Sequence, residues 1–243
     1  MSTWIGENGD GEMVGLNPNP VKLRYINPMP ELPSDRLRAR LLDAFTPRAA
    51  ELGWTEAAYR VAIADAGLSA GEAALACPRG VVDLFDAFAA RADAAMLDRL
   101  EDLDLAAMRY SQRVKAAVQV RLEAQAPYKD AARAMTRALA RPTRAPEASR
   151  LLWRTADHIW RALGDTSTDE NFYSKRAILS GVLAATYARW FSDTSEDHEA
   201  TWAFLDDRIA NVMQFEKVKA QLKPLAGLGE TVAGLAARLR YGA

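Results

Sequence analysis

Two histidines, His158 and His198, are the side chains of this chain best suited to bind a metal or transfer protons near neutral pH. A di-metal site in a helical bundle uses a Glu-x-x-His pattern on two helices. Thr155 and Ser195 stand three positions before the two histidines, so that pattern is missing. His198 is followed by Glu199 but not by the second histidine of a zinc-protease helix. The histidine spacing therefore predicts no metal site.

The other groups that could react also lack partners at a suitable spacing. Asp165 and Asp169 could pair for acid–base work, but both are better explained as turn residues. The sequence at 226–229 lacks the Lys-Ser/Thr ending of a phosphate-binding loop. Cys77 lies in an alanine-rich stretch with no neighbouring base to lower the pKa of its thiol, and we interpret it as a packing residue. We therefore predict that the protein is not an enzyme and uses no cofactor.

The composition is typical of a soluble globular protein. Of 243 residues, 49% are hydrophobic and 26% charged, and the net charge of −1 gives no overall attraction to nucleic acid or anionic lipid. With a single cysteine the chain has no disulfide scaffold and no cysteine metal site, which favours a reducing compartment.

Targeting signals are not evident. The first residues lack the basic start and apolar run of a secretory signal, and Glu7, Asp10 and Glu12 argue against a mitochondrial transit peptide. The longest uncharged apolar run, 177–188, is too short to span a bilayer. We expect a cytoplasmic chain of bacterial type, peripheral on the inner membrane, or a processed form on the matrix side of a mitochondrion.

Helical patterning begins after a Gly- and Pro-rich stretch. Residues 1–33 cannot hold a helix, so we predict an extended or disordered arm. From Ser34 onward the apolar spacing is helical, and no segment alternates as a strand does. Within 34–103 we predict four helices opened at Ser34, Thr55, Ser69 and Val81. This order is that of a TetR-like helix-turn-helix region, so we predict an all-α, TetR-like fold.

The third of these helices is poorly suited to reading DNA. Bases and phosphates are contacted by Arg, Lys, Asn or Gln, and residues 70–76 contain none of them. Their only charge is Glu72, and Arg79 beyond them offers one phosphate contact. The alternative prediction is a ligand-responsive transcriptional regulator. Because the third helix lacks these side chains, we expect no nucleic-acid partner.

Residues 104–222 are predicted to form the ligand-binding and dimerisation helices. A long helix is expected at about 105–126, followed by helices at about 128–140, 148–163 and 171–191. Arginines spaced four apart form stripes at Arg109, Arg113, Arg133, Arg137 and Arg141. Such a stripe is either a solvated face or a face against anionic headgroups.

The segment between the last two of those helices, Gly164 to Arg176, is richer than a connector needs. It carries two adjacent aromatics, two adjacent cations and several hydroxyls. With Trp153, Asp157 and Trp160 before it, and with Trp190, Asp193, Ser195 and 201–209 after it, it resembles the signature of a family of ubiquinone-biosynthesis accessory proteins, the ninth Coq protein. Members of this family are TetR-like, lipid-binding and non-catalytic. Glu170 departs from the pattern, because relatives have an aromatic residue there.

The resemblance implies a homodimer that binds a prenylated quinone intermediate and presents it to the di-iron demethoxyubiquinone hydroxylase. The residues that match the family's partner-binding patch are Asp169, Asn171, Phe172, Tyr173 and Arg176. Exposed aromatics beside a cation are typical interface anchors. As lipid-binding residues we predict Trp153, Trp160, Ile178, Val182, Tyr187, Trp190 and Trp202. The sequence alone leaves open whether these large apolar residues form a core or a pocket.

The last segment, 223–243, is predicted to be an amphipathic helix that engages lipid. Its apolar residues Leu225, Leu228, Val232, Leu235 and Leu239 fall on one arc of a helix. Its glycines weaken a helix by about 1 kcal/mol each, so an external surface must hold it. A membrane, the protein's own core or a second copy could provide that surface. Basic residues at Lys223, Arg238 and Arg240 favour an anionic membrane, and relatives use such a helix on lipid.

An enzyme acting on a hydrophobic substrate is a further alternative. Asp157 and Asp169 are the acidic side chains on which its turnover would depend.

Overall fold

The computed structural model describes residues 32–168, 170–212 and 214. Within these residues the chain is α-helical, with short 3-10 turns and no strand, as predicted. The helices are α1 Pro33–Leu52, α2 Glu56–Asp65, α3 Ala70–Ala76, α4 Val81–Glu101, α5 Tyr110–Glu123, α6 Lys129–Leu139, α7 Ala145–Ala162, α8 Glu170–Ser192 and α9 at 199–212. The predicted arm and the predicted final helix lie outside the described residues.

Side-chain caps fix the starts of α2 and α3. The Thr55 hydroxyl accepts a hydrogen bond from the backbone N–H of Ala58 at 3.1 Å. Ser69 and Glu72 form a reciprocal capping box, which satisfies two backbone donors that a helix N-terminus leaves unpaired. Both caps confirm the predicted starting residues. The predicted N-cap of α1, Ser34, is wrong by two positions. The N-cap is Leu32, because the fixed φ of Pro33 suits the first helical turn and Ser34 already lies inside the helix.

The predicted long helix at 105–126 is also wrong, since the chain breaks before α5. The Asp104 carboxylate accepts from the N–H of Ala107 and closes a short 3-10 turn. Met108 is extended, and the side chain of Gln112 then accepts from the N–H of Arg109 at 2.9 Å. These local side-chain bonds compete with helix continuation and restart the helix at Tyr110.

Trp54 joins the N-terminal helices to the rest of the molecule. Its indole stacks on Phe85 with ring centroids 4.7 Å apart, and its Nε1 donates to the carbonyl of Ala131 in α6 at 2.9 Å. The core around it runs without interruption from α1 to α8. α7 and α8 pack against each other as neighbours and position the segment identified above. None of the helices described is long and apolar enough to cross a membrane.

Candidate functional site

The turn between α7 and α8 is held by the carboxylate of Asp165. Gly164 ends α7 with φ at +81°, a conformation that glycine adopts without strain. The Asp165 carboxylate then accepts from the Ser167 hydroxyl at 2.7 Å, from Lys175 Nζ at 2.6 Å and from Arg176 Nη1 at 3.1 Å. The polar residues of the signature therefore make an internal network that closes the turn.

Arg176 is the centre of that network and is only 1% exposed. Its Nε donates to Asp157 on α7 at 2.8 Å, and its Nη1 also donates to the backbone carbonyl of Phe172 at 3.1 Å. The guanidinium carbon lies 3.5 Å from the centre of the Phe172 ring. The expectation that Arg176 faces a partner needs correction, because two carboxylates draw it into the interior. Its role is to hold Phe172 in place.

The carboxylates of this network are strongly stabilised in their ionised form. Burial acts to raise the pKa of Asp165, but bonds from Lys175, Ser167 and Arg176 outweigh it and lower that pKa to about 2. Burial likewise acts against ionisation of Asp157, and bonds from Arg176 and Arg161 lower its pKa. Both carboxylates are ionised at neutral pH, so neither is suited to exchange a proton there. Their role is to stabilise the turn through ion pairs and hydrogen bonds.

An aromatic surface, consisting of Trp153, Phe172 and Tyr173, lies directly over the network. Tyr173 is 64% exposed and its ring meets the Phe172 ring edge-on at 5.1 Å. Trp153 of α7 is half-buried with its ring centre 6.2 Å from that of Tyr173. Asn171 is exposed beside them, whereas Asp169 lies outside the described residues. The structure thus places Phe172, Tyr173 and Asn171 where a partner could reach them.

Three of the predicted lipid-binding residues, Trp160, Ile178 and Val182, line one cavity of about 220 Å³, here called the signature-side cavity. It lies among α5, α7, α8 and α9. Its wall is apolar, and its polar lining consists of Ser111, Asn171, Ser174 and Lys175, with Tyr110 stacked on Trp160 at 5.7 Å. The other lining residues are Val114, Leu179, Ile209 and Val212.

Tyr187 lines a different cavity of about 210 Å³, here called the inner cavity, on the opposite side of α8. Sequence reasoning missed two of its lining residues, Arg121 and Gln125. The signal was available in α5, where Val114, Ala117, Val118 and Leu122 mark the buried face and Arg121 falls within it. A charged residue on an apolar face indicates either a buried ion pair or a site.

Trp153, Trp190 and Trp202 line neither of these two cavities. Trp153 belongs to the aromatic surface, because its position on α7 faces the start of α8. Trp190 is 1% exposed in the core, and Trp202 donates from Nε1 to the carbonyl of Asp197 at 2.8 Å. The last two tryptophans pack around the corner between α8 and α9.

Asp193 organises that corner. Its carboxylate accepts from the N–H and hydroxyl of Ser195 and of Thr201. These bonds, those from the Ser195 hydroxyl first, hold the pKa of Asp193 well below its usual range. The motif residues after α8 therefore have a structural role in starting α9.

The arginine stripes are partly used inside the protein. Arg133 donates to the carbonyl of Phe191, near the end of α8, at 2.7 Å, and Arg113 donates to the carbonyl of Met108 at 3.0 Å. Arg109, Arg137 and Arg141 are exposed. Only these three present the solvated or headgroup-facing charge that the spacing suggested.

In the helix-turn-helix region, the phosphate-binding candidate Arg79 is paired with Asp83 at 2.6 Å and Asp86 at 3.0 Å. Within the described part of the chain, no three His, Cys, Asp or Glu side chains are grouped as metal ligands.

Comparison with known proteins adds independent information on this region. Residues 145–216 match the COQ9 family model. The chain is 31% identical over 196 residues to the ubiquinone biosynthesis protein COQ9, mitochondrial, of Rattus norvegicus, covering 78% of this chain and 62% of the rat protein. It is 29% identical to the Homo sapiens protein of the same description, over 78% of this chain and 61% of the human one. The chain thus spans about three fifths of the length of these relatives.

The fold is similar to that of a solved TetR transcriptional regulator from Nitrosomonas europaea. The TM-score is 0.59, the identity is 22%, and the match covers 72% of this chain and 97% of the regulator. At this identity the likeness concerns the fold alone, and it confirms the predicted TetR-like architecture. Residues 145–216, which contain the Arg176 network, the aromatic surface and all of α8, form a COQ9 family domain, so the family resemblance read from the sequence is confirmed.

Proposed function

We propose that this protein is a non-catalytic accessory factor of ubiquinone biosynthesis that binds a prenylated quinone intermediate and presents it to the di-iron hydroxylase. The observation that carries the proposal is the double use of the first turns of α8. Ser174 and Lys175 line the signature-side cavity while Phe172 and Tyr173 form the aromatic surface. Cargo and partner would therefore meet on one short segment.

The signature-side cavity suits part of an isoprenoid chain. Its wall is made of aliphatic and aromatic side chains, which favours an apolar ligand by about 25 cal/mol per Å² of apolar surface removed from water. A cavity of about 220 Å³ is below the size of a pocket for a whole drug-sized ligand, so it would hold one portion of a lipid. The rest would extend to a second copy of the chain or to a membrane surface.

The aromatic surface suits a protein partner. Exposed aromatic side chains anchored by a rigid support contribute disproportionately to interfaces. Tyr173 is exposed, and the buried Arg176 fixes the backbone of the turn that carries it. The proposed partner is the hydroxylase, and the proposed assembly state is a homodimer.

The membrane step is proposed from the sequence of 223–243, outside the described residues. We place the protein peripherally on the inner membrane in a bacterium, or on the matrix side in a mitochondrion. The names of the two relatives support the mitochondrion only as the compartment of those proteins. Replacing Leu228, Val232 and Leu235 by Ser should abolish binding to vesicles containing anionic lipid and leave the helical content unchanged. Unchanged vesicle binding would overturn this step.

Cargo binding is tested by native mass spectrometry of the purified full chain, followed by organic extraction and lipid identification. A prenylated quinone or isoprenoid retained by a dimer is the expected result. Ile178→Gln, which puts an amide into the signature-side cavity, should lose the lipid. Ala177→Gln is the matched control, because Ala177 is the exposed neighbour on the same helix.

Two results would overturn cargo binding. One is the absence of lipid even after incubation with quinone-loaded vesicles. The other is equal retention by the Ile178 and Ala177 variants.

A further inference from the structure

The inner cavity has an apolar wall and a polar floor, and one donor on that floor has no partner among the residues that the structure describes. Gln125 lines the cavity and is 4% exposed. Its Oε1 accepts from the Tyr187 hydroxyl at 2.6 Å. Among the described residues, nothing accepts a hydrogen bond from its Nε2. Nε2 is not fully buried, so the oxygen of a ligand that enters the cavity can accept its hydrogen bond.

The orientation of the Gln125 amide follows from its neighbours. Arg121 Nη1 donates to the Tyr187 oxygen at 3.0 Å, so the phenol hydrogen is free to point toward Gln125. Burial raises the pKa of Tyr187, and the hydroxyl therefore keeps its proton and donates it to Oε1. With Oε1 committed as acceptor, Nε2 is the atom presented to the cavity.

The floor offers no free positive charge. Arg121 is 3% exposed and uses all three nitrogens, donating from Nε to Asp93 at 2.7 Å and from Nη2 to the carbonyl of Ala89 at 3.2 Å as well as to Tyr187. Asp93 neutralises the guanidinium at close range. A carboxylate ligand would lose its hydration without gaining an unpaired cation, so a neutral acceptor is favoured.

The size and opening of the cavity set the rest of the ligand. Three exposed lining residues mark the mouth: Thr136 of α6, Ala140 directly after α6, and Ala184 of α8. The volume of about 210 Å³ accommodates a ring but not an entire lipid. Between mouth and floor the wall is apolar, with Met135, Leu139, Leu151, Leu152 and Leu183.

We propose that the inner cavity is a ligand site, separate from the signature-side cavity, for a ring-sized neutral molecule whose carbonyl or ether oxygen accepts a hydrogen bond from Gln125 Nε2. α8 forms a wall of both cavities. Because ligand binding in the inner cavity requires no isoprenoid in the signature-side cavity, this proposal goes beyond the proposed function.

The test compares two probes with one carbon skeleton, duroquinone with two carbonyls and durene with none, by ligand-observed NMR titration of the full chain. Gln125→Glu keeps the acceptor for Tyr187 and removes the donor. It should weaken duroquinone binding about tenfold and leave durene binding unchanged. Tetramethylbenzoate should bind the wild type more weakly than duroquinone.

Controls locate the effect in the cavity. Thr136→Val removes a lining hydroxyl that already donates to the carbonyl of Ala132, so it should leave duroquinone affinity unchanged. Ala184→Trp fills the mouth and should abolish binding of both probes. Gln125→Met removes the donor without adding charge and should also weaken only duroquinone, which serves if Gln125→Glu fails to fold.

Four results would overturn the proposal. They are no binding of duroquinone to the wild type, equal duroquinone affinity in the Gln125 variants, tighter binding of the benzoate, and no effect of Ala184→Trp. Lipid retention by the Ile178 and Ala177 variants is measured separately, so the two proposals fail independently.

Discussion

Two arginines are buried to the same degree but work in different surroundings. Arg176, 1% exposed, binds two carboxylates, Asp157 and Asp165, within a turn whose polar groups are paired with one another. Arg121, 3% exposed, closely pairs with one carboxylate, Asp93, and its remaining bonds go to neutral oxygens. The first network closes on itself, whereas the second continues through Tyr187 to Gln125, whose Nε2 donates to no residue in the described part of the chain.

Burial of a charge therefore does not by itself identify a binding site. A closed network can only brace the structure around it, and here it holds the aromatic surface. A network that ends at an unpaired donor beside a cavity can bind something further. Hydrogen-bond completeness, more than burial, separates the two regions.

The largest effect should come from removing the doubly paired arginine. Arg176→Met leaves two carboxylates near each other without their shared cation, and we expect a loss of about 3–5 kcal/mol in unfolding free energy. For a chain of this size that loss lowers Tm by roughly 10 °C or more. Urea titration and thermal melts followed by circular dichroism measure it.

Arg161→Met is the control for this prediction. Arg161 also binds Asp157, at 2.7 Å, but its side chain is half exposed, so its loss should cost less than about 1 kcal/mol. If both variants lose a similar amount of unfolding free energy, burial of Arg176 does not strengthen its ion pairs. The buried pairs of Arg176 and the exposed pair of Arg161 would then be equivalent.

Arg121→Met should cost less, about 2–3 kcal/mol. Asp93 would keep the hydrogen bond from Thr155 at 2.9 Å and the proximity of His158 at 3.3 Å and Arg154 at 3.5 Å. The same melts measure it. A cost equal to or above that of Arg176→Met would reverse the ranking of the two networks.

Sequence reasoning reached most of the fold because local signals specify it. Thr55 and Ser69 cap their helices through bonds to residues three positions away, which a linear pattern reveals. The break at Met108 escaped because Asp104 and Gln112 act there as competing side-chain acceptors inside a helical apolar pattern.

The site was predicted less completely, because it depends on contacts between distant segments. The signature marks the turn that carries Phe172, but the direction of Arg176 is set by Asp157, 19 positions earlier. The inner cavity joins Arg121 to Tyr187, 66 positions apart, and no spacing rule connects them. Pairing between such distant residues depends on how the helices pack, and local sequence periodicity does not predict that packing.

The ion pairs of Asp165 should also make the unfolding free energy depend on pH in the acidic range. The folded-state pKa of Asp165 lies at about 2, below the ordinary value of 3.8, so its ionised form stabilises the fold. That stabilisation is complete above about pH 5 and is lost as the pH falls through about 4 toward 2. In Asp165→Asn the difference in unfolding free energy from wild type should shrink over this range. A difference independent of pH would show that the ion pairs do not stabilise the turn.

The smallest effect on stability is expected at the surface that the closed network supports. Tyr173→Ala removes a 64% exposed ring, so unfolding free energy should change by no more than about 0.5 kcal/mol. The same change should weaken capture of the proposed hydroxylase partner at least tenfold, since exposed aromatic anchors dominate interfaces. Surface plasmon resonance with the purified hydroxylase measures this loss.

Tyr128→Ala is the matched control, because Tyr128 is 40% exposed and packs on Phe88, away from the aromatic surface. It should leave partner binding unchanged. If Tyr173→Ala binds as wild type does, the aromatic surface is not the docking site, and the Arg176 network braces only the fold. If Tyr173→Ala destabilises the chain as strongly as Arg176→Met, the ring belongs to the brace itself. Loss of partner binding with unchanged unfolding free energy would show that Tyr173 binds the partner, whereas the Arg176 network stabilises the fold.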